Sequence, residues 1–463
     1  MNILPFKASK ISHLGSPSEH PEHVVVIGSG AAGLSAAWLL ARSSMRVTLV
    51  EKDDRLGGHA NTASVMQSDG STQPIDTGFI VYNEATYPNL TEWYRSMGVR
   101  SEPSDMSFAV SRNAGRFEYA GGPRLGLFAQ PSLWTKPRFY KMLKDLLRFY
   151  KEAPAKISTH ADISLGDFLK REAYSDEFIN DHLMPFAAAI WSTSRANMLD
   201  YPASAFIRFC DNHGLLRLRN RPQWRTVSGG SKCYVDAVKQ SLGADNIRSN
   251  FLVAEINRHK FGVTVRSRTG QTIEADHVVL ATHADQALAL ISDADDVERQ
   301  LLSPFQYESN LAILHTDIRY LPKRKRAWAS WNYVEQSEDD GAKVSVSYWM
   351  NKLQNLESDT DYVVSLNPAI RPGTQYILRS QIYEHPIFNA DTFQAQQQLW
   401  SLQGRRRTWF CGSYFGAGFH EDAVQSGFAA AEQLSGIMRP WTVESPSGRI
   451  FVNNTKNQRV VAA

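Results

Sequence analysis

The sequence predicts an α/β fold organised around a parallel βαβ unit, and three observations carry that expectation. A β-branched run, Val24-Val25-Val26-Ile27, leads into the turn Gly28-Ser29-Gly30-Ala31-Ala32-Gly33. An alanine-rich stretch follows, from Leu34 to Ala37, and then a second short run, Val47-Thr48-Leu49-Val50, ends in Glu51. Strands separated by a helix are what a parallel sheet requires, because parallel neighbours need a crossover between them.

Each element of that unit has a chemical reading. In a GxGxxG turn between strand and helix, Gly28, Gly30 and Gly33 let the backbone approach a pyrophosphate lying on the helix N-terminus, with Ser29 and Ala32 beside it. Glu51, ending the second strand, stands where an acid accepts hydrogen bonds from adenosine ribose hydroxyls, and its charge would repel a 2′-phosphate. Together these residues predict a dinucleotide site. Val24 to Ala41 carries no charged residue, which admits a membrane-spanning reading on length. The three clustered glycines and the acid-terminated strand argue against it. No cleavable signal is evident before Val24, so a cytoplasmic location is expected, with residues 1–20 a flexible lead-in.

Composition agrees with a large folded enzyme. The chain has 463 residues, 43% hydrophobic and 11% aromatic, enough to bury a large core in two or three domains. Its net charge of +3, from 50 basic and 47 acidic residues, gives no reason to expect a nucleic-acid partner. Cys210, Cys233 and Cys411 are widely spaced, without the spacing of a disulfide framework or a metal site.

Beyond Glu51, the run Lys52-Asp53-Asp54-Arg55-Leu56-Gly57-Gly58-His59 sets basic residues and a glycine pair after the ribose-binding acid. This stretch resembles the flavin amine oxidase and phytoene desaturase superfamily, in which the matching positions contact the FAD diphosphate and isoalloxazine. Asp76-Thr77-Gly78-Phe79 is similar to the superfamily's next element, Val253 matches a residue whose backbone meets the adenine, and Ala275 to Thr282, including Ala281, reads as a buried strand. Trp409 to Ser413, then Gly418-Phe419-His420-Glu421-Asp422-Ala423, resembles the closing flavin motif, with Gly412, Ser413, Gly418, Phe419, His420, Glu421 and Ala423 beside the cofactor. The resemblance implies a Rossmann-like, glutathione-reductase-like FAD domain split in sequence, and non-covalent FAD, since no cysteine matches a flavin-linking one. Three positions depart from the amine oxidases: His59 replaces an arginine, Ser413 an acid, and Asn310 the flavin-linked lysine.

Ala188 to Thr193, Asp211 to Leu216, Arg221 to Gly230 and Trp328 to Tyr333 are similar to one branch of the superfamily, the flavoproteins associated with bacterial cyclopropane-fatty-acyl synthases and similar to the N-terminal domain of plant cyclopropane synthases. That resemblance implies a desaturase or isomerase acting on unsaturated, methylated or cyclopropanated fatty acyl chains. Two alternatives stand beside it: an amine oxidase acting on a small amine or polyamine, and a non-catalytic flavoprotein partner of a fatty-acyl methyltransferase. His420 is the first candidate for a polar group beside the flavin, with His315, Asp422 and His213 behind it. No metal site is expected.

The expected organisation is an FAD domain from residues 21–100, 225–300 and 400–436, a substrate domain from 101–224 and 301–399, and a C-terminal tail over 437–463. Alternation at Lys343 to Trp349 and Tyr362 to Leu366 predicts antiparallel strands flooring a pocket. Trp134 to Lys151 predicts a basic amphipathic helix able to lie on an anionic bilayer. Trp191, Trp224, Trp328, Trp331 and Trp349 are candidates to line an apolar tunnel.

Overall fold

The computed structural model describes residues 21–121, 124–157, 163–191, 195–335 and 345–452. Strand β1 (His23–Ile27) is wholly buried, as is helix α1 (Ala31–Leu40), and strand β2 (Arg46–Val50) pairs in parallel with β1. The sheet they start is completed by strands Ile247–Arg248 beside β2, His277–Leu280 beside β1, and Thr408–Phe410 at the far edge. All five strands run parallel. Burial on both faces explains why β1 reads as an unbroken apolar run rather than an alternation.

The last helix, His420–Ser435, packs on α1 at unusual proximity. A Cβ on Gly427 would stand 2.1 Å from Ser35 Oγ and 2.2 Å from Ala32 O, so only glycine fits. Helix α2 (Pro88–Met97) closes the same core, in which Trp93 and Phe428 meet edge to face at 5.3 Å.

A second, seven-stranded sheet is drawn from residues 108–120 and 306–387. Its long strands Gln306–His315 and Ile377–Ile387 are antiparallel, and Val346–Trp349 pairs antiparallel with Val363–Leu366 as the alternation predicts. Lys343 and Val344 lie outside the described residues. The buried strand expected over Ala275 to Thr282 forms as His277–Leu280, preceded by the strands Val253–His259, Gly262–Ser267 and Thr272–Ala275.

Three expectations shift. The basic helix runs Pro137–Lys156 rather than 134–151, because Pro137 occupies its first turn, where a missing N–H costs nothing, and residues 152–156 continue it. Residues 437–452, read as part of a tail, pack against the core: Ile450 is buried and Trp441 lies 5.8 Å from Trp38. The four candidate tunnel tryptophans with described side chains pack in separate places. Trp328 and Trp349 meet beside Tyr320 and Leu321, Trp331 packs on Tyr348, and Trp224 lies near His213; the side chain of Trp191 is outside the described residues.

Candidate active site

The glycines of the first turn divide by what surrounds them. Gly28 has φ +98°, and a Cβ there would stand 2.7 Å from Ala281 O; a Cβ on Gly33 would stand 1.9 Å from Gly28 O. The protein's own backbone demands both. Gly30 differs: a Cβ there would meet no protein atom within 4 Å. It opens onto the N-terminus of α1, which has no side-chain cap and no acid in its first turn. An uncapped helix start with a glycine facing open space is a cradle for an anionic diphosphate.

The second glycine pair is clamped to that cradle. Gly57 N–H donates to Ser29 O (3.0 Å) and to Ser29 Oγ (3.2 Å), and a Cβ on Gly58 would approach Gly30 Cα to 3.1 Å. Arg55 donates to Gly58 O at 2.9 Å, which sets its guanidinium at the rim, while Lys52 is exposed. Glu51 is buried; its Oε2 accepts from Ser29 N–H (2.9 Å) and Oγ–H (2.6 Å), and Oε1 from Asp53 N–H (3.1 Å). These bonds fix the carboxylate at the end of β2 and leave it lone pairs for ribose hydroxyls. The residues present therefore fit FAD at its phosphate and ribose end. Val253 is buried at the start of its strand.

At the other end of the cradle the walls become aromatic. Phe79 N–H donates to His59 O (2.8 Å), and a Cβ on Gly78 would stand 2.2 Å from that oxygen and 3.2 Å from the Tyr383 ring. Phe79 stacks on His420, ring centroids 3.6 Å apart and planes within 10°, and His420 Nε2 shares a hydrogen bond with Tyr234 Oη at 3.1 Å. The His59 ring lies 5.0 Å from Tyr383 and 5.3 Å from His385. Tyr383 Oη accepts from Asn61 Nδ2 (2.9 Å) and bonds Thr77 Oγ1 (2.8 Å). Asn310, fully buried, donates from Nδ2 to His385 Nδ1 (3.0 Å), and its Oδ1 accepts from Asn367 Nδ2 (2.6 Å).

Burial keeps these imidazoles neutral. It pushes His59 well below the ordinary histidine value, His385 down to about 4 and His420 down to about 3, and lowers His283, which stacks on Tyr307 at 4.1 Å. His385, His283, Tyr234 and Asn61 were not anticipated from sequence. His385 had an available signal, standing two residues after Tyr383 on one strand and so on the same face.

Three expected residues lie elsewhere or are engaged otherwise. His315 ends its strand fully buried, with Nε2 bonded to Ser365 Oγ (2.9 Å), Nδ1 accepting from Asp317 N–H (3.1 Å), and its ring against Tyr320. Both ring nitrogens are satisfied within the second sheet, so His315 is a structural histidine. Glu421 turns away from the cradle and accepts from the backbone N–H of Asn89 (3.1 Å) and Leu90 (3.0 Å), capping α2 from a distant helix. Asp422 Oδ2 accepts from Phe419 N–H (2.8 Å), and Oδ1 lies 2.6 Å from Arg449 Nε. Burial pushes the Glu421 and Asp422 carboxyls upward, against the pull of these donors.

The remaining closing-motif residues are at the start of the last helix or just before it. Gly412 N–H donates to Ser426 Oγ (2.9 Å), Ser413 O accepts from Gly418 N–H (3.1 Å), and Ala423 N–H donates to Phe419 O (3.1 Å). Gly418 has φ +91°, a conformation that favours glycine. Phe419 stacks on Phe209 at 4.6 Å, and His213 stacks on the same Phe209 at 3.9 Å with Nδ1 on Phe209 O.

Comparison with known proteins agrees with this geometry. The fold, a nucleotide cradle on a parallel sheet closed by a C-terminal helix, is shared with solved structures. Cyclohexylamine oxidase from Brevibacterium oxydans matches with a TM-score of 0.64 at 16% identity, over 90% of this chain and 99% of that one. A CLA-producing fatty acid isomerase from P. acnes matches with a TM-score of 0.63 at 15% identity, again over 90% and 99%. At the sequence level, a Mycobacterium tuberculosis protein carrying the name flavin-containing monoamine oxidase AofH is 28% identical over 338 residues, 70% of each chain. The family model for flavin containing amine oxidoreductase matches residues 31–362. The chain belongs to that family, and FAD is its cofactor.

Among the described residues no helix is long and apolar enough to cross a membrane, and no cluster of His, Cys, Asp or Glu could hold a metal ion.

Proposed function

We propose that the protein desaturates or isomerises an unsaturated, methylated or cyclopropanated fatty acyl chain. The observation that supports this reading is the chemistry of the wall at the aromatic end of the cradle. Its imidazoles are held neutral, and the buried carboxylates around it are already engaged: Asp76 by Thr62, Ser231 and Gln354, Glu421 by α2, and Asp422 by Arg449. An ammonium entering there would find no free carboxylate among these three, whereas a hydrocarbon loses nothing by leaving water. From Tyr383 the wall continues into an apolar cluster that includes Ile75, Ile80, Leu314 and Val364.

When bound, FAD supplies a two-electron acceptor for a hydride leaving a substrate carbon. The protein supplies orientation and a dry surface. Phe79 and Tyr383 contribute aromatic rings to the wall, Tyr234 holds the His420 ring against Phe79, and the last helix brings the positive end of its dipole to the same place, where developing negative charge is stabilised. His420, neutral at pH 7, serves in this reading as a hydrogen-bonding group and not as a strong base.

The test is incubation of FAD-loaded protein with cis-unsaturated, methyl-branched and cyclopropane acyl substrates, followed by gas chromatography and mass spectrometry of the recovered chains. A shifted or added double bond supports the proposal, and unaltered chains from every substrate overturn it. Amine oxidation is the second reading, favoured by the family match and by the name of the mycobacterial relative. Peroxide release with primary amines and polyamines would select it. A cyclopropane-synthase-like methyltransferase partner is proposed with the acyl reading, and co-purification tests it.

A further inference from the structure

We infer that the helix Pro137–Lys156, with the cleft at its N-terminal end, is a docking face for an anionic lipid bilayer. Two independent features coincide there. On the helix, Tyr140, Lys144, Leu147 and Lys151 fall within one narrow arc at 3.6 residues per turn. Tyr140 and Leu147 are each 49% exposed, and Trp134, whose carbonyl accepts from Tyr140 Oη (2.8 Å), is 54% exposed. The opposite side is the packed one, with Phe139, Met142 and Phe149 buried. Asp145 and Glu152, the acids of this helix, are turned away from the exposed arc, toward Arg148 and Lys156.

The second feature is a cleft of about 590 Å³ lined by Arg116, Lys136 and Lys323. A fourth cation, Arg324, is held by the buried Glu118 at 2.7 Å. The other three are exposed and make no ion pair among the described residues, and the same is true of Lys144 and Lys151. Five uncompensated cations thus border three exposed apolar side chains.

A solvated helix face has no need of Tyr140 and Leu147 in one row with an exposed Trp134 just before the helix begins. A protein partner would be expected to meet a flatter apolar patch with fewer uncompensated charges, since interface cores are depleted of lysine. An anionic membrane surface matches both features. Lysines reach the headgroup phosphates while the Trp and Tyr rings settle at the interface, and each basic residue near such a surface strengthens adsorption. The inference does not depend on the acyl-chain reading, because adsorption is measured without turnover.

The experiment is flotation of the FAD-loaded protein with vesicles of phosphatidylglycerol and phosphatidylcholine mixed, against phosphatidylcholine alone. Adsorption to the anionic vesicles, weakened by salt, is expected. The triple change K136Q, K144Q and K151Q, and separately the double change Y140S and L147S, are each expected to lower the bound fraction at least tenfold with flavin content and melting temperature unchanged. These residues are exposed, so the fold does not rest on them. No adsorption, equal adsorption to neutral vesicles, full displacement by inorganic phosphate at matched ionic strength, or variants that bind like the parent would each overturn the inference.

Discussion

Phe79 and His420 lie face to face, 3.6 Å apart, although one follows the antiparallel pair Thr62–Met66 and Thr72–Asp76 and the other begins the last helix. The contact ties the two ends of the chain together beside the cradle. Removing the ring in His420→Ala forfeits the stack and leaves Tyr234 Oη without its partner, and is expected to cost about 2 kcal/mol. His420→Phe retains the stack and more of the stability. If His420 acts by hydrogen bonding to the bound molecule, turnover falls at least tenfold in both variants. Full turnover in His420→Phe would reduce the residue to packing.

The Asp422–Arg449 pair predicts that residues 437–452 are part of the folded unit. Arg449→Ala leaves a buried carboxylate without its cation, a loss of about 3–5 kcal/mol. Chemical denaturation of that variant, and of a chain ended after Gly436, checks this. Wild-type stability in the shortened chain would contradict it.

The fold was legible in sequence where its determinants are local. From β1 to Glu51 the strand, turn, helix and second strand lie within one short stretch, and each has its own chemical signal in glycines, β-branched runs and a terminal acid. What was not legible depends on distant partners. Glu421 binds Asn89 across 332 residues, and nothing in the spacing of either reports it. His315 read as a candidate because it is a histidine at a strand end; the Ser365 hydroxyl that satisfies it is 50 residues away. The His59, His385 and Asn310 group likewise exists only once Ile377–Ile387 pairs with Gln306–His315.

Buried neutral histidines set an acid limit on stability. Burial lowers His182, His213 and His420 to about 3 and His315 and His385 to about 4. An unfolded histidine titrates near about 6.5. Their contribution is therefore complete above that value and is lost as pH falls toward 4, because the unfolded chain takes up protons that the folded chain refuses. Asp76, raised to about 6 by burial, and Glu421 and Asp422, also raised by burial, act in the opposite sense but are outnumbered by the five histidines. Urea unfolding is expected to show a midpoint that falls from pH 7 to pH 5, with net proton uptake on unfolding. A flat or rising midpoint would contradict this.

Gly33 and Gly30 are expected to fail differently. A methyl on Gly33 collides with Gly28 O, so Gly33→Ala is expected to lose stability by more than about 2 kcal/mol with or without FAD. Thermal melting of the apoprotein reads this directly.

Gly30 provides the most direct test of the cradle, because a Cβ there meets no protein atom within 4 Å and a side chain would project into the space the cradle holds. The measurement is the FAD released on acid precipitation from purified wild type and Gly30→Val. Stoichiometric, acid-released FAD from the wild type, and its loss from a Gly30→Val protein that melts like the wild-type apoprotein, is the predicted result. Retention of FAD by Gly30→Val, or a wild type that takes up none, would contradict the account.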